Sequence, residues 1–303
     1  MTALRIGTRG SALALTQTGT VADALRAKTG AETELVTITT DGDRSREPLS
    51  RAGGTGLFTG ALRDALLAGE CDVIVHSFKD LPTAPHPDLV VGAVPKREDA
   101  RDALVARDGL TLETLPEGAR VGTGSPRRVA QLKARRPDLD VVDIRGNVDT
   151  RLGFVANGEL DAVVLAAAGL TRLHRLDAVT EFLDLVRWPT APGQGALAIE
   201  VRRGEEPRVK ALDHPSSRAT ADAERHVLAL LEAGCSAPVG AHALIDAELI
   251  LLSARVYSAD GTQRLTAAHG AYWPDRDAPR EIAERAASEL LAAGAADLMG
   301  DRP

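Results

Sequence analysis

The chain has 303 residues, of which 36 are basic and 43 are acidic, so its formal net charge is −7. This charge argues against a general nucleic-acid-binding protein, because such proteins usually carry an excess of basic residues. Apolar residues make up 44% of the chain and aromatic residues only 3%, so aliphatic side chains must fill the cores. The length predicts two or three domains.

The sequence contains no apolar run near the ~18 residues that a membrane span requires. It passes from Met1–Arg5 directly into a strand-like segment, without the long apolar stretch of a signal peptide. Two cysteines without an export signal do not indicate a disulfide framework. We therefore expect a cytoplasmic protein that binds neither membranes nor nucleic acid.

From the amino terminus, short strand-like segments alternate with helix-like segments. The first stretch predicts strands at 4–7, 35–39 and 72–76, and helices that start at Ser11 and cover 56–68. The second stretch repeats this style, with strands at 121, 141 and 162–165 and helices from Ser125 and near Val148. Short strands separated by helices of this length predict parallel βαβ units.

Two pairs of short segments resemble one another and occur in the same order along the chain. Residues 6–11 (IGTRGS) resemble 121–125 (VGTGS), and residues 69–75 (GECDVIV) resemble 158–164 (GELDAVV). The extra length in the first stretch is the glycine-rich and charged segment 41–54. We interpret the pattern as two related α/β domains in tandem, with chance similarity as the alternative for matches this short.

The character of the sequence changes after Trp188. The prolines and glycines of 189–195 form a connector, and the apolar strand 196–201 is predicted to return to the first domain. A helix over 219–231, a strand at 249–256, a hairpin turn at 260–261 and an amphipathic helix over 282–291 follow. The predicted fold class is therefore α/β, with two α/β domains (1–95 with 196–213, and 101–189) and a smaller C-terminal α+β domain (217–303).

Two strand-to-helix turns carry features of anion sites. Ser11 and Ser125 are candidate N-caps, and helix N-termini offer N–H groups and a positive dipole end to anions. Arg9 lies in the first turn, whereas Arg127 and Arg128 follow the second. The segment 120–136 holds six basic residues and no acidic residue, which indicates a local polyanion site. Ordinary capping and a solvated helix face are the alternatives.

Three further arginines, Arg145, Arg151 and Arg172, follow predicted strands. Ligands of open parallel sheets lie beyond the carboxyl ends of the strands, where all these arginines occur. Their number predicts a ligand with several negative groups, and arginine suits phosphates and carboxylates alike. A nucleotide is disfavoured, because the sequence has neither a Walker A motif nor a dinucleotide glycine pattern.

The segment 76–82 (HSFKDLP) directly follows a buried strand. Lys79 and Asp80 therefore occupy a position at which functional groups often lie, and Asp80 is suited to stabilise a cation or to relay protons. A salt bridge or an Asx turn before Pro82 is an equally good interpretation. The scattered histidines and the lack of a Cys-x-x-Cys motif predict no metal site.

The two cysteines differ in their setting. Cys71 precedes an apolar strand and is predicted to lie in the core. Cys235 lies in a loop of small residues after a helix, where a thiol can serve as a nucleophile or an attachment point. From the residues alone, an idle surface thiol is the better interpretation of Cys235.

Taken together, these motifs resemble those of the porphobilinogen deaminase family, also called hydroxymethylbilane synthases. The matching segments run in order over nearly the whole chain, and their ordered combination is what makes the resemblance specific. They are TRGS at 8–11 with LAL at 13–15 and Gln17, GG at 53–54 with GLF at 56–58, HSFKDLP at 76–82, GT at 122–123 with Ser125 and RR at 127–128, RGNV at 145–148 with TRL at 150–152, AGL at 168–170 with Arg172, APGQGA at 191–196, and GC at 234–235.

The resemblance implies a fold and a reaction. It implies two domains similar to those of periplasmic binding proteins, and a third that carries the cysteine, in a monomer. It also implies a dipyrromethane cofactor held to Cys235 by a thioether. The family's reaction deaminates four porphobilinogen molecules, joins them head to tail on this primer and releases hydroxymethylbilane by hydrolysis, as a step of tetrapyrrole and heme biosynthesis.

The resemblance also implies roles for individual residues. The catalytic group is Asp80, which stabilises the cation left when ammonia departs, with Arg9, Arg145 and Arg151. The cofactor contacts are Cys235, Lys79, Asp80, Thr123, Ser125, Arg127 and Arg128. The contacts to substrate, the growing oligopyrrole chain included, are Arg9, Ser11, Phe58, Arg145, Arg151, Arg172 and Gln194, and a core role is the alternative for Phe58.

The chain departs from the family pattern at one position. The family often has a lysine within Gly-Gly-Lys-Gly-Leu-Phe, where this chain has Thr55, with Arg51 nearby. The rival hypothesis for the whole chain is a non-catalytic, two-domain binder of small carboxylates or phosphates. That hypothesis leaves Cys235 and Asp80 without a role.

Overall fold

The computed structural model describes residues 3–39, 59–234 and 237–299, which form three sheets. The strands are β1 (Leu4–Thr8), β2 (Thr33–Thr37), β3 (Val73–Ser77), β4 (Leu89–Ala93), β5 (Asp102–Ala106), β6 (Arg120–Gly122), β7 (Asp140–Val142), β8 (Ala162–Ala166), β9 (Glu181–Phe182), β10 (Leu197–Arg202), β11 (Val239–Asp246), β12 (Leu249–Tyr257) and β13 (Arg264–Tyr272). The helices are α1 (Ala12–Thr29), α2 (Gly60–Leu67), α3 (Pro126–Arg135), α4 (Val148–Ala156), α5 (Ala167–Arg172), α6 (Pro215–Leu230), α7 (Ala278–Ala292) and α8 (Ala295–Leu298).

The first two sheets share one plan. Their strand orders are β2-β1-β3-β10-β4 and β7-β6-β8-β5-β9. In each, the first three strands are parallel and the fourth is antiparallel to the third. The strand predicted to return to the first domain is β10, and it lies between β3 and β4. The α/β fold class is confirmed.

Hydrogen bonds reproduce the resemblance between the two halves. The Asp72 carboxylate accepts the backbone N–H of Arg5 at 3.0 Å, and the Arg5 carbonyl accepts the Asp72 N–H at 2.8 Å. In the second sheet, the Asp161 carboxylate accepts the Arg120 N–H at 2.7 Å, and the Arg120 carbonyl accepts the Asp161 N–H at 2.9 Å. The similar sequence segments therefore occupy equivalent places in two related sheets.

The third sheet is an antiparallel meander of β11, β12 and β13, covered by α6 and α7. Residues of β12 alternate in burial along the strand, because one face meets the two helices and the other does not. This unit is the smaller α+β part of the predicted fold. The strands of each sheet fall within one of the three predicted domain ranges, and the limits themselves stay predictions.

Local signals set the ends of the helices that approach the candidate site. The Ser11 hydroxyl accepts the N–H of Ala14 at 3.3 Å at the start of α1, and Gly30 ends this helix with φ of 70°. Asn147 caps α4 by accepting the N–H of Thr150 at 2.9 Å. Among the helices of the described ranges, none combines the length and apolar character of a membrane span.

Candidate active site

The carboxyl end of β3 leads into a short 3-10 turn, Phe78–Asp80, that presents Lys79 and Asp80. Asp80 is exposed, and its carboxylate accepts no hydrogen bond from the described residues. Burial lowers the pKa of Lys79 to about 8; the nearby Asp80 carboxylate opposes this shift, and the charge of Arg128 adds to it. The turn therefore lies within electrostatic reach of the arginines that follow β6.

The arginines that follow the strands of the second sheet converge on the same region. The pKa of Arg151 is lowered, first by burial and then by the charges of Arg128 and Arg145, while Asp80 acts in the opposite direction. The Arg151 Nε donates to the carbonyl of Gly146 at 2.9 Å, which fixes its guanidinium at the strand-to-helix turn. Side chains from both α/β units thus share one positively charged region.

Arg127 and Arg128 both reach Asp102, a fully buried residue at the start of β5. The Arg127 Nη2 donates to Asp102 Oδ2 at 2.9 Å, and the Arg128 Nη2 donates to Oδ1 at 2.6 Å. The Trp188 indole N–H also donates to Oδ2, at 2.8 Å. Burial alone raises the pKa of Asp102, but the two guanidinium charges outweigh it and hold that pKa far below its usual range.

Several guanidinium nitrogen atoms of Arg127, Arg128 and Arg145 have no acceptor among the described residues. The Nε atoms of Arg127 and Arg128, and both Nε and Nη2 of Arg145, are buried and unpaired. Buried donors without acceptors are costly, and arginine favours carboxylates and phosphates as partners. The unpaired nitrogens therefore fit a ligand with several carboxylates.

Gln194, expected to contact substrate, lies buried between the two units. Its Nε2 donates to the Ala100 carbonyl at 2.8 Å and to Asp102 Oδ1 at 2.9 Å, and its Oε1 accepts from Lys79 Nζ at 3.4 Å. Gln194 therefore links Lys79 of the first unit to Asp102 of the second through hydrogen bonds. Its substrate contact stays a prediction.

The remaining predicted residues lie at the ends of neighbouring strands. Arg9 is half-buried directly after β1, and α1 packs against α5 of the second unit. Arg172, the last residue of α5, donates from Nη2 to the Gly195 carbonyl at 2.7 Å. Burial lowers the pKa of Arg172, against the charge of Glu98. The helix that follows Arg9 and the helix that ends at Arg172 are thus neighbours.

Thr123 and Ser125 lie between β6 and α3. Thr123 is fully buried, and its hydroxyl accepts the N–H of Ser125 at 3.3 Å. The Ser125 side chain makes no capping hydrogen bond with the described residues, in contrast to Ser11. Two predicted residues, Phe58 and Cys235, lie outside the described residues, as do Thr55, Arg51 and segment 41–54.

Sequence reasoning missed an arginine of α6 that supports the Lys79–Asp80 turn. Arg225 donates to the carbonyl of Phe78 at 2.8 Å and to that of Pro82 at 2.9 Å. Its guanidinium also lies over the Phe78 ring, 4.6 Å from the ring centroid. The third unit therefore positions the turn that carries Asp80.

The neighbouring Glu224 was missed as well, and it joins four segments of the chain. Its carboxylate accepts two hydrogen bonds from Arg97 at 2.8 Å each, and one each from the N–H groups of Gly193 and Ala243 at 2.7 Å. Burial raises the pKa of Glu224, but Arg97 and His242 outweigh it and lower that pKa to about 2. The sequence signal is weak, because the Glu-Arg pair lies in a helix, α6, that also carries Arg218, Asp222 and His226.

The comparisons with known proteins cover nearly the whole chain. Residues 4–210 match the family model described as porphobilinogen deaminase, dipyromethane cofactor binding domain, and residues 219–292 match that of the porphobilinogen deaminase C-terminal domain. Among solved structures, the methionine-binding protein MetQ is similar with a TM-score of 0.45 and 12% identity, covering 69% of this chain and 87% of that protein.

Curated relatives agree with the family models. The porphobilinogen deaminase of Leifsonia xyli is 63% identical, over 98% of this chain and 94% of the relative. Porphobilinogen deaminase 1 of Streptomyces coelicolor is 53% identical over 99% and 98%, and the Corynebacterium efficiens enzyme is 53% identical over 98% and 99%. With two family models matched in order and relatives this similar over their full length, the chain belongs to the porphobilinogen deaminase family.

Proposed function

We propose that Asp80 and the surrounding arginines perform the reaction of this family in this chain. In that reaction, four porphobilinogen molecules lose ammonia and are joined head to tail on a covalently bound dipyrromethane primer, and water then releases hydroxymethylbilane. The supporting observation is a set of buried guanidinium nitrogens without acceptors in the described part of the chain, within electrostatic reach of the exposed Asp80 carboxylate. Family membership does not favour the rival, a non-catalytic binder.

The charges of the site match the substrate. Each porphobilinogen unit carries an acetate and a propionate, so every addition brings two further carboxylates. Arg9, Ser11, Arg145, Arg151 and Arg172 are proposed to hold carboxylates of the substrate and the growing chain. Burial of Arg151 and Arg172 disfavours their charged forms, and nearby carboxylates of the protein offset this only in part. Bound carboxylates of the substrate would therefore offset the remaining cost.

The proposed cofactor contacts lie on the two facing turns. Lys79 comes from the first unit, and Thr123, Ser125, Arg127 and Arg128 come from the second. The Nε atoms of Arg127 and Arg128, which lack acceptors within the described residues, are suited to bind the carboxylates of a dipyrromethane. When bound through Cys235, this group supplies the terminal pyrrole carbon to which the first substrate is joined.

Asp80 is proposed to act on the substrate. The C–N bond of the substrate's protonated aminomethyl group breaks, ammonia leaves with the bonding electrons, and positive charge spreads onto the pyrrole nitrogen. The Asp80 carboxylate stabilises this charge as it develops. Each addition would replace one C–N bond with one C–C bond and release one ammonia, and the carbon that forms the new bond would release its proton to solvent. Arg225 and Phe78 hold the turn that positions this carboxylate.

The first test is the intact mass of the denatured protein beside a Cys235→Ser variant. We expect an excess of one dipyrromethane on the wild type and none on the variant, and colour with acidic Ehrlich's reagent from the wild type only. If the wild-type protein showed no added mass after incubation with porphobilinogen or hydroxymethylbilane, the proposal would be overturned.

The second test separates the role of Asp80 from cofactor attachment. Asp80→Asn removes the charge with little change of shape, and we expect kcat to fall at least about a hundredfold with the cofactor mass retained. Asp88→Asn, at another exposed aspartate of the first unit, is the matched control and should leave kcat unchanged. An Asp80→Asn enzyme with wild-type kcat would remove Asp80 from the mechanism.

Two further expectations belong to the same proposal. The chain acts as a monomer, since the proposed site draws all its groups from one copy. It acts in the cytoplasm, on a small-molecule substrate. Size-exclusion chromatography with light scattering tests the first, and cell fractionation tests the second.

A further inference from the structure

Four arginines line a cavity of about 260 Å³ between the second and third units. Arg135 is the last residue of α3, and Arg187 lies between β9 and the connector 189–195. Arg255 lies on β12, and Arg264 is the first residue of β13. We name this cluster the arginine pocket; it uses none of the residues assigned to the reaction.

The arginine pocket is poor in acceptors. Arg255 donates to the carbonyls of Arg187 at 3.1 Å and Val186 at 2.7 Å, and its buried Nε meets no acceptor in the described part of the chain. Within the described ranges, the guanidinium groups of Arg135, Arg187 and Arg264 make no hydrogen bond or ion pair. None of the four arginines that line the cavity therefore has an acidic partner among the described residues.

The acidic residues nearest in sequence to Arg187 and Arg264 bind other groups and form no ion pair with the pocket. Asp184 is the nearest acidic residue before Arg187 in the sequence, and its carboxylate accepts the N–H groups of Val186 and Arg187 at 3.1 and 3.0 Å. Asp260, in the turn before Arg264, is bound to Ser258 and Thr262. Like charges gathered without a counter-charge repel one another, and a bound anion relieves that repulsion.

We propose that the arginine pocket binds a compact, multiply charged oxyanion of the phosphate class. The cavity is too small for a large ligand, and four guanidinium groups match several charges on a few atoms. Guanidinium forks also suit tetrahedral oxyanions and their oxygen pairs. The chain as a whole has a net charge of −7. A local cluster of four arginines therefore favours the binding of an anion at this place.

The arginine pocket is separate from the candidate active site, although α3 connects the two. Arg127 and Arg135 lie at opposite ends of this helix, about 12 Å apart at 1.5 Å per residue. An anion bound by Arg135, Arg187, Arg255 and Arg264 would also link the second unit to the third. Binding should therefore raise the melting temperature of the intact protein.

The experiment is calorimetric titration of the cofactor-bearing protein with inorganic pyrophosphate at low ionic strength. We expect saturable binding that weakens about tenfold in Arg264→Gln, whose exposed side chain has no other partner to disturb. The matched control is Arg276→Gln, which removes one charge from the same unit beyond the far end of β13, a strand about 26 Å long. It should bind as the wild type does.

The variants also separate this pocket from the arginines around Asp80. Pyrophosphate held in the candidate active site would bind Arg264→Gln and wild type equally, and that result would overturn the proposal. Arg255→Gln should likewise weaken binding about tenfold. Equal affinity for malonate would show a carboxylate site and reject the phosphate class, and absence of any saturable binding would reject the pocket altogether. Steady-state activity should be unchanged in Arg264→Gln.

Discussion

Arg128 and Asp102 form a hydrogen-bonded ion pair of 2.6 Å between α3 and β5, with both side chains withdrawn from solvent. The other terminal nitrogen of Arg128, Nη1, donates to the Val164 carbonyl at 2.9 Å. These two acceptors fix the guanidinium and leave its Nε unpaired. Asp102 therefore positions arginines that are proposed to bind the cofactor, without itself being proposed to touch it.

Replacing Asp102 with asparagine should destabilise the protein. Asp102→Asn leaves two buried guanidinium groups without their counter-charge, and breaking a buried ion pair in this way costs about 3–5 kcal/mol. Urea unfolding at pH 7 measures the loss. The control is Asp140→Asn, which removes an exposed, 3.7 Å contact to Arg120 and should cost at most about 1 kcal/mol. Equal stability of the two variants would contradict the positioning role.

Lys79 should make stability depend on alkaline pH when the cofactor is absent. Its folded-state pKa is lowered from 10.5 to about 8, so between these values the unfolded chain binds more protons than the folded chain. The free energy of unfolding therefore rises with pH across this window, by about 2 kcal/mol for a half-buried lysine. Urea unfolding of Cys235→Ser between pH 8 and 10.5 measures the rise.

A second substitution assigns that rise to Lys79. Adding Lys79→Met to the Cys235→Ser protein should flatten the pH dependence, whereas adding Lys133→Met, at an exposed position of α3, should preserve it. The cofactor-bearing wild type should show a smaller rise, because bound carboxylates favour the charged lysine. An unchanged slope with Lys79→Met would refute this assignment.

Glu224 should supply stability that is lost in acid. Its folded-state pKa is lowered from 4.5 to about 2, so its contribution is complete above pH 4.5 and disappears as the pH falls through 2. Glu224→Gln should lower the free energy of unfolding by about 3 kcal/mol at pH 7 and flatten its decline between pH 4.5 and 2. Part of the decline should remain, because the pKa of Glu200 is also lowered to about 2, beside His76 and Arg63.

The control for Glu224 is an exposed ion pair of the same unit. Glu284 accepts a hydrogen bond from Arg280 at 2.7 Å on α7, and 46% of its side chain is exposed. Glu284→Gln should change the free energy of unfolding by less than about 1 kcal/mol. Comparable losses in the two variants would show that burial of the Glu224 carboxylate is not the source of its effect.

Gly195 in the connector should not tolerate a side chain. It has φ of 85°, and a Cβ there would lie 2.5 Å from the carbonyl oxygen of Glu98, so Gly195→Ala should lose about 3 kcal/mol or more from strain and clash together. Gly204 has φ of 92° but open space around it, and Gly204→Ala should lose only about 1 kcal/mol from strain. Thermal unfolding of both variants separates the two effects.

The regular elements with strong local signals could be predicted from the sequence. The helix after Ser11 has its predicted cap, the helix predicted near Val148 begins there, and the closing amphipathic helix is α7. Ser125 lies at the start of α3, but its side chain does not cap the helix within the described residues. Cys71 is buried, as predicted. The sequence reasoning missed β4, β5, β9 and β11, and it gave only a hairpin turn before β13. In β5 the reason is physical, since it begins with a charged residue, Asp102, whose burial only its distant partners permit.

The amino-acid sequence by itself determined the repeated α/β pattern, the motifs of the family and the concentration of arginines after strands. These depend on neighbouring residues and on periodicity, which act locally. Only the tertiary structure decided what each arginine contacts: Arg127 and Arg128 meet Asp102, Arg225 supports the Lys79–Asp80 turn, and Arg97 meets Glu224. These pairs join residues far apart in the chain, and a buried charge is stable only where the sheet order brings its counter-charge within hydrogen-bond distance.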